Sequence, residues 1–262
     1  MANNNFWGRS ITASGACSDP TRGDNFGPHT PGFHLVPFND VFSLEAQLNR
    51  DPNIAAVFLE PIQGEAGTIV PDDGYLKKVH DLTRKYNCLL VLDEVQAGLG
   101  RTGYVNAFEH DLAAHGLKPD IMAVGKSMSG GMTPSSGIFA DREVMDVFSI
   151  GNHGSTYGGN PLSMAIVKAA LEVTRDEGLV ENSRDRGLQM RSGFNKINST
   201  LLKDVRGRGL MTAIEVDRDS FVNGDDLCDI FRHHGILTKS TKEFSVRFTP
   251  ALVMTEAEVD EV

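Results

Sequence analysis

Two short stretches carry residue types that can do covalent and acid–base chemistry. In Ile121-Met-Ala-Val-Gly125-Lys126-Ser-Met-Ser-Gly130-Gly131 a lysine follows an apolar run and lies among small residues. An amine held partly out of water loses some of its preference for the proton and becomes a nucleophile toward carbonyl carbon. In Val91-Leu-Asp93-Glu-Val-Gln96 an acidic pair emerges from another apolar run, with Gly98 and Gly100 just beyond it. A carboxylate there either caps the following helix or pairs with a cation, and the glycines leave a planar ligand room to approach. A lysine that condenses with an aldehyde, next to an aspartate that keeps a ring nitrogen protonated, is the equipment of an electron-sink cofactor.

Those residues need a scaffold that delivers them to one place. Apolar runs at Ile54–Leu59, Leu89–Leu92 and Ile121–Val124 alternate with helical patterns such as Tyr75–Tyr86, the signature of an α/β fold with a mostly parallel central sheet flanked by helices. The unbroken run Cys88-Leu-Leu-Val-Leu92 predicts a strand buried on both faces. In such sheets ligands lie beyond the carboxyl ends of the strands, which is where Asp93 and Lys126 fall. A helix from Asn160-Pro161 through Leu171 then bridges to a smaller α+β region. Its expected strands are Leu210–Val216, Ile236–Thr238 and Phe244–Phe248, with helices at Asn182–Asn198 and Asp225–His234 and a last helix capped by Thr255 ahead of Glu258. The division expected is 1–178 for a partial large cofactor-binding domain and 179–262 for a small C-terminal domain.

Composition narrows the partners. The 262 residues are 40% hydrophobic and 23% charged with a formal net charge of −10, a poor match to a phosphate backbone, which selects clustered Lys and Arg. No nucleic acid and no membrane is expected as partner: no apolar run approaches the ~20 residues that span a bilayer. Cys17, Cys88 and Cys228 are scattered and odd in number, so neither a disulfide framework nor a zinc site is expected. His233-His234 point to different faces of a helix and do not make a metal pair. Arg206 and Arg208, spaced by glycine, read as the entrance of a hairpin.

Several ordered motifs together resemble the class III, fold type I aminotransferases, and among them the ornithine aminotransferases most closely. They are Asn5-Phe-Trp-Gly-Arg9, Glu60-Pro-Ile-Gln-Gly-Glu65-Ala-Gly67, Asp93-Glu-Val-Gln96, Gly125-Lys126, His153-Gly-Ser-Thr156-Tyr-Gly-Gly-Asn-Pro161 and Val246-Arg247-Phe248. The resemblance implies pyridoxal 5'-phosphate as cofactor, with Lys126 as the lysine that holds it and shuttles the proton. It implies Asp93 as partner of the ring nitrogen, Gln96 near the ring 3-hydroxyl and Phe6 against the ring plane. Ser155 and Thr156 match hydroxyls that reach the cofactor phosphate of a neighbouring subunit, so a homodimer or larger homo-oligomer with shared sites is implied.

The same resemblance implies the donor and acceptor. Arg9 would hold the α-carboxylate of L-ornithine, so that its δ-amine reaches the cofactor and leaves glutamate 5-semialdehyde. Trp7 looks like the ornithine enzymes, whereas acetylornithine enzymes tend to carry histidine there. Glu65 and Arg247 resemble a gate: paired they mask the arginine, and parted they expose it to the α-carboxylate of 2-oxoglutarate, which becomes L-glutamate. Two other readings are a catalytically inactive short form acting as a dimer partner, and a class III enzyme for N-acetylornithine or 4-aminobutyrate. Family members carry an upstream glycine-rich turn for the cofactor phosphate, upstream aromatics around the ornithine and a longer last helix, so the chain is expected to be truncated at the N-terminus and slightly at the C-terminus. The resemblance leaves the mitochondrial matrix and the cytoplasm equally open.

Overall fold

The computed structural model describes every residue from Met1 to Val262. Four strands, β1 (Ala56–Leu59), β2 (Leu89–Asp93), β3 (Ile121–Val124) and β4 (Gly137–Ala140), form one sheet in the order β1-β2-β3-β4. The first three run parallel, with Leu59 beside Leu92 and Asp93 beside Ala123, and β4 returns antiparallel to β3. This is the mostly parallel α/β sheet expected.

Burial explains why these segments are strands. Leu90 and Leu92 have no exposed surface, and they pack with Val57, Leu59, Leu76, Val79 and Leu82 into one core. Each such aliphatic contributes about 1.5–3 kcal/mol through removal from water. The helix Tyr75–Lys85 supplies its part from Tyr75, Leu76, Val79, Leu82 and Thr83, the spacing of a single helical face. A further helix, Val41–Arg50, lays Leu44 and Leu48 on the same core after an N-cap from Asp40 to the Ser43 amide.

The second sheet contains β5 (Leu202–Arg208), β6 (Met211–Val216), β7 (Lys239–Ser240) and β8 (Ser245–Phe248), in the order β5-β6-β8-β7 and antiparallel throughout. Its core joins Ile214, Val246 and Phe248 to Met190 and Phe194. Those last two come from the helix Leu179–Phe194, which follows the helix Pro161–Asp176 after a left-handed Gly178. Gly187 in that helix touches the hairpin turn so closely that a Cβ would stand 1.9 Å from the Gly209 carbonyl oxygen. Arg206 and Arg208 do lie on the hairpin strand leading into β6. The Thr255–Glu258 capping box opens the last helix, Glu256–Asp260.

The structure corrects several boundaries. The bridging helix runs to Asp176 rather than Leu171, and the next begins at Leu179 rather than Asn182 and ends at Phe194. No strand forms at Ile236–Thr238. The Ile236 amide donates to the Phe231 carbonyl and the Gly235 amide to the Arg232 carbonyl, a helix-ending arrangement that delays sheet entry until Lys239.

The two sheets meet through polar and apolar contacts that matter for the site. Arg101 donates to the Leu210 carbonyl at 3.0 Å and the Pro250 carbonyl at 2.6 Å. Met211 of β6 is buried among Ile62, Ala97 and Ala107. Arg206 donates to the Gly67 carbonyl and to Ser245 Oγ, both at 2.9 Å, while pairing with Asp204 and Glu215. These links bring β8 over the turns that follow β1 and β2.

Candidate active site

The end of β1 is followed by Glu60 to Gly67, the end of β2 by a run of turns from Val95, and the end of β3 by Lys126. Successive residues on a strand face opposite ways, and the acidic pair obeys that rule. Asp93 is 6% exposed, and the only hydrogen bond to its carboxylate comes from the Val95 amide at 3.0 Å. No helix follows it, so it does not act as a helix cap. Burial raises the pKa of Asp93, opposed by the Val95 amide and by Lys126. Glu94 turns the other way, and is 1% exposed. It accepts from the amides of Ala107 at 2.7 Å and Phe108 at 2.8 Å, and burial pushes it up to about 7.

Lys126 occupies the left-handed region, with φ +44°. Gly125 before it packs against β2, since a Cβ there would lie 3.3 Å from Val95 Cγ1. The residue as a whole is exposed. Its amine nonetheless lies deep enough among protein atoms that desolvation lowers its pKa, with Glu65, Asp93 and Glu60 pulling upward and Arg247 pushing further down. It makes no salt bridge. One amine thus feels the charges of β1, β2 and β8 together.

Arg247 projects from β8 to close the cluster. Its Nη1 donates to Glu65 Oε1 at 2.8 Å and to Gln96 Oε1 at 2.9 Å, while Gln96 Nε2 donates to Glu65 Oε1 at 3.2 Å. The arginine and glutamate side chains are 13% and 18% exposed. Burial on its own would raise Glu65, but its hydrogen bonds and charge pairing with Arg247 outweigh that and hold it at about 2. The buried Nε of Arg247 has no partner. Gly64 makes the triangle possible, because a Cβ on it would meet Gln96 Oε1 at 1.7 Å.

The N-terminal loop forms another wall. Phe6 is half-buried, and its amide donates to Glu60 Oε1 at 3.0 Å. The guanidinium carbons of Arg22 and Arg9 lie 4.7 Å and 5.7 Å from its ring centre. Arg9 is exposed, and Trp7 packs between Phe33 and Phe58 at 5.8 Å and 5.2 Å. Glu60, 6% exposed, also accepts from the Gly64 amide at 3.1 Å, and burial pushes its pKa up to about 7.

Lys126, Asp93, Glu65, Gln96 and Arg247 therefore converge, with Phe6 tied to them through Glu60. Ser155 and Thr156 do not join them: both lie in an exposed loop where Ser155 Oγ accepts from the Gly158 amide. The sequence reading overlooked Glu60 and Glu94 as buried acids. The only available signal was their place, directly beyond an apolar strand and followed by turn residues.

An amine without a partner, a buried carboxylate without a cation and a masked arginine make a site suited to an electron-poor ring and a carboxylic acid. The family model described as Aminotransferase class-III matches residues 1–262. An ornithine aminotransferase of Drosophila melanogaster, named as mitochondrial, is 43% identical over 261 residues, covering 100% of this chain and 59% of that protein. The Toxoplasma gondii ornithine aminotransferase structure, described as holding PLP at partial occupancy in its active site, superposes with TM-score 0.94 at 44% identity, over 99% of this chain and 60% of its own. An acetylornithine aminotransferase structure from Elizabethkingia anophelis superposes with TM-score 0.83 at 43% identity, over 88% of this chain and 61% of its own. The chain spans 59% of the length of the fly protein and 60% of the parasite one. With the family model running from the first residue to the last, the chain belongs to the class III aminotransferases.

Proposed function

We propose that the protein transfers the δ-amino group of L-ornithine to 2-oxoglutarate, giving glutamate 5-semialdehyde and L-glutamate in two alternating half-reactions, with pyridoxal 5'-phosphate as cofactor. The observation that carries this reading is the cluster in which an unpartnered lysine amine faces both a buried aspartate and a glutamate-masked arginine. The donor set fits the cofactor. Asp93 is a buried carboxylate with no cation of its own, and a protonated ring nitrogen would supply one; Lys126 carries an amine free to condense.

When bound, the cofactor supplies an aldehyde for amines and a ring that draws electrons from the neighbouring carbon. Asp93 keeps the ring nitrogen protonated. The Nζ of Lys126 takes the proton from the ornithine carbon that bears the transferred amine, which requires it unprotonated at working pH; its lowered pKa serves that need. Phe6 and Gln96 border the ring, and Arg9 holds the distant α-carboxylate of ornithine so that the δ-amine leads. With Glu65 on Arg247, ornithine has no second cation to bind the wrong way round. When 2-oxoglutarate arrives, Glu65 parts from Arg247, whose Nη1 and Nη2 are then free to grip the α-carboxylate in two parallel hydrogen bonds. Ser155 and Thr156 serve the site of a second copy, and the exposed Phe148, Ile150 and Tyr157 beside them form the apolar surface that such a copy would cover.

The likeness to an acetylornithine enzyme favours one rival donor. Purified protein is incubated with the cofactor, reduced with borohydride and digested, and turnover is compared on ornithine, N-acetylornithine and 4-aminobutyrate. Trapped cofactor on the Lys126 peptide, lost completely in Lys126→Ala, with ornithine the fastest donor, is the expected result. Trapping that survives the substitution overturns the lysine assignment, absence of trapping favours the inactive form, and a faster N-acetylornithine overturns the donor.

A further inference from the structure

Glu60 is buried in the middle of the site, yet it hydrogen-bonds none of Lys126, Arg9 and Arg247, the residues to which a substrate contact is assigned. Its Oε1 accepts from the Phe6 amide at 3.0 Å, and its Oε2 accepts from the Gly64 amide at 3.1 Å. The first bond fixes the loop that carries Arg9. The second fixes the residue immediately before Glu65. These two loops lie far apart in sequence and approach each other at this carboxylate.

We propose that Glu60 is a positioning residue that locks the donor-anchoring loop Phe6–Arg9 to the acceptor gate at Glu65, so that release of one loosens the other. The inference rests on the reading of Arg9 and Glu65 given above. An ionised carboxylate has acceptor capacity for both amides. A protonated one turns one oxygen into a hydroxyl, a weaker acceptor for the N–H it faces, and its new proton finds no acceptor in either amide. The choice between these states is close, because burial and the charge of Asp93 raise Glu60 to about 7 while the two amides and Lys126 pull it down. The other charged groups on the two loops are Arg9 and Glu65, with Arg22 laid on the Phe6 ring and paired to Asp19. Glu65 is held at about 2, so it keeps one charge through the range in which Glu60 changes. Glutamine at position 60 imitates the protonated state permanently: its oxygen serves one amide and its NH2 opposes the other.

The single tryptophan, Trp7, adjoins the Phe6 amide and gives a readout that needs no cofactor. Acrylamide quenching of Trp7 in cofactor-free protein is followed from roughly pH 8 to pH 6, spanning a carboxyl that titrates near neutrality. Quenching should rise as pH falls in the natural protein, and in Glu60→Gln should start high and ignore pH. In the holoenzyme, Glu60→Gln should raise KM for ornithine and for 2-oxoglutarate together by about tenfold, the equivalent of one lost hydrogen bond, with kcat little changed. A Trp7 signal indifferent to both pH and substitution overturns the lock. So does a KM change confined to one substrate. Should the natural holoenzyme fail to turn over ornithine, the donor reading falls, while the fluorescence arm still decides the lock; the natural protein's pH titration also stands if Glu60→Gln does not fold.

Discussion

Glu65→Gln is the sharpest perturbation of the gate. The carboxylate of Glu65 is held at about 2 instead of 4.5, which corresponds to about 3 kcal/mol of preference for the charged form. Glu65 keeps part of its surface in water, so screening reduces the usable part to roughly 1–2 kcal/mol. That is the energy an incoming 2-oxoglutarate must overcome to take Arg247 from Glu65. Glutamine keeps the shape and one hydrogen bond but not the charge. The KM for 2-oxoglutarate should therefore fall by about 5- to 30-fold, the free-energy difference expressed as affinity. The ornithine half-reaction should suffer in the opposite sense, because an unmasked Arg247 captures the α-carboxylate of ornithine and presents the wrong amine. Measuring each half-reaction separately, by glutamate formed and by semialdehyde formed, tests both. An unchanged KM for 2-oxoglutarate, or equal damage to both halves, refutes the argument.

Two further outcomes concern stability. Glu94 has a folded pKa of about 7 against an ordinary 4.5; a raised acid contributes stability that is full below the ordinary value and lost as pH rises through the folded one. Relative to the natural protein, Glu94→Gln should gain roughly 1–3 kcal/mol in urea unfolding between about pH 5 and pH 8. The same subtraction removes the opposing contribution of His80 and His110, whose pKa values burial lowers, and a flat difference would reject the buried-acid account. Gly187→Ala should cost about 3 kcal/mol or more, because its Cβ would meet the backbone oxygen of Gly209 at 1.9 Å; a urea midpoint shift near zero would mean that helix and hairpin can slide apart.

Much of the site was legible because its residues sit where a parallel sheet ends. Once Leu89–Leu92 and Ile121–Val124 are taken as neighbouring strands, Asp93 and Lys126 must share a rim, and β2 and β3 pair as that requires. Arg247 within an apolar strand was equally conspicuous. The strand β4, Gly137–Ala140, was not: it is short, opens with glycine and exposes Ile138 and Phe139, so it lacks both alternation and a buried run. The extent of the β5 strand was hidden by its charges: Arg206 and Arg208 read as a hairpin entrance, but Lys203 and Asp204 give no alternation that would carry the strand back to Leu202. Glu60 escaped notice for a deeper reason. Its significance lies in two backbone amides, and amides leave no trace in a sequence.

The left-handed backbone at Lys126 has a consequence for how this position can change over time. A non-glycine residue there costs about 1–2 kcal/mol, and glycine or asparagine would settle the chain more comfortably. Random drift should thus keep offering this position replacements that improve folding while silencing the amine. A lineage relieved of the need for the chemistry would be expected to lose the lysine early, and to become sturdier as it does.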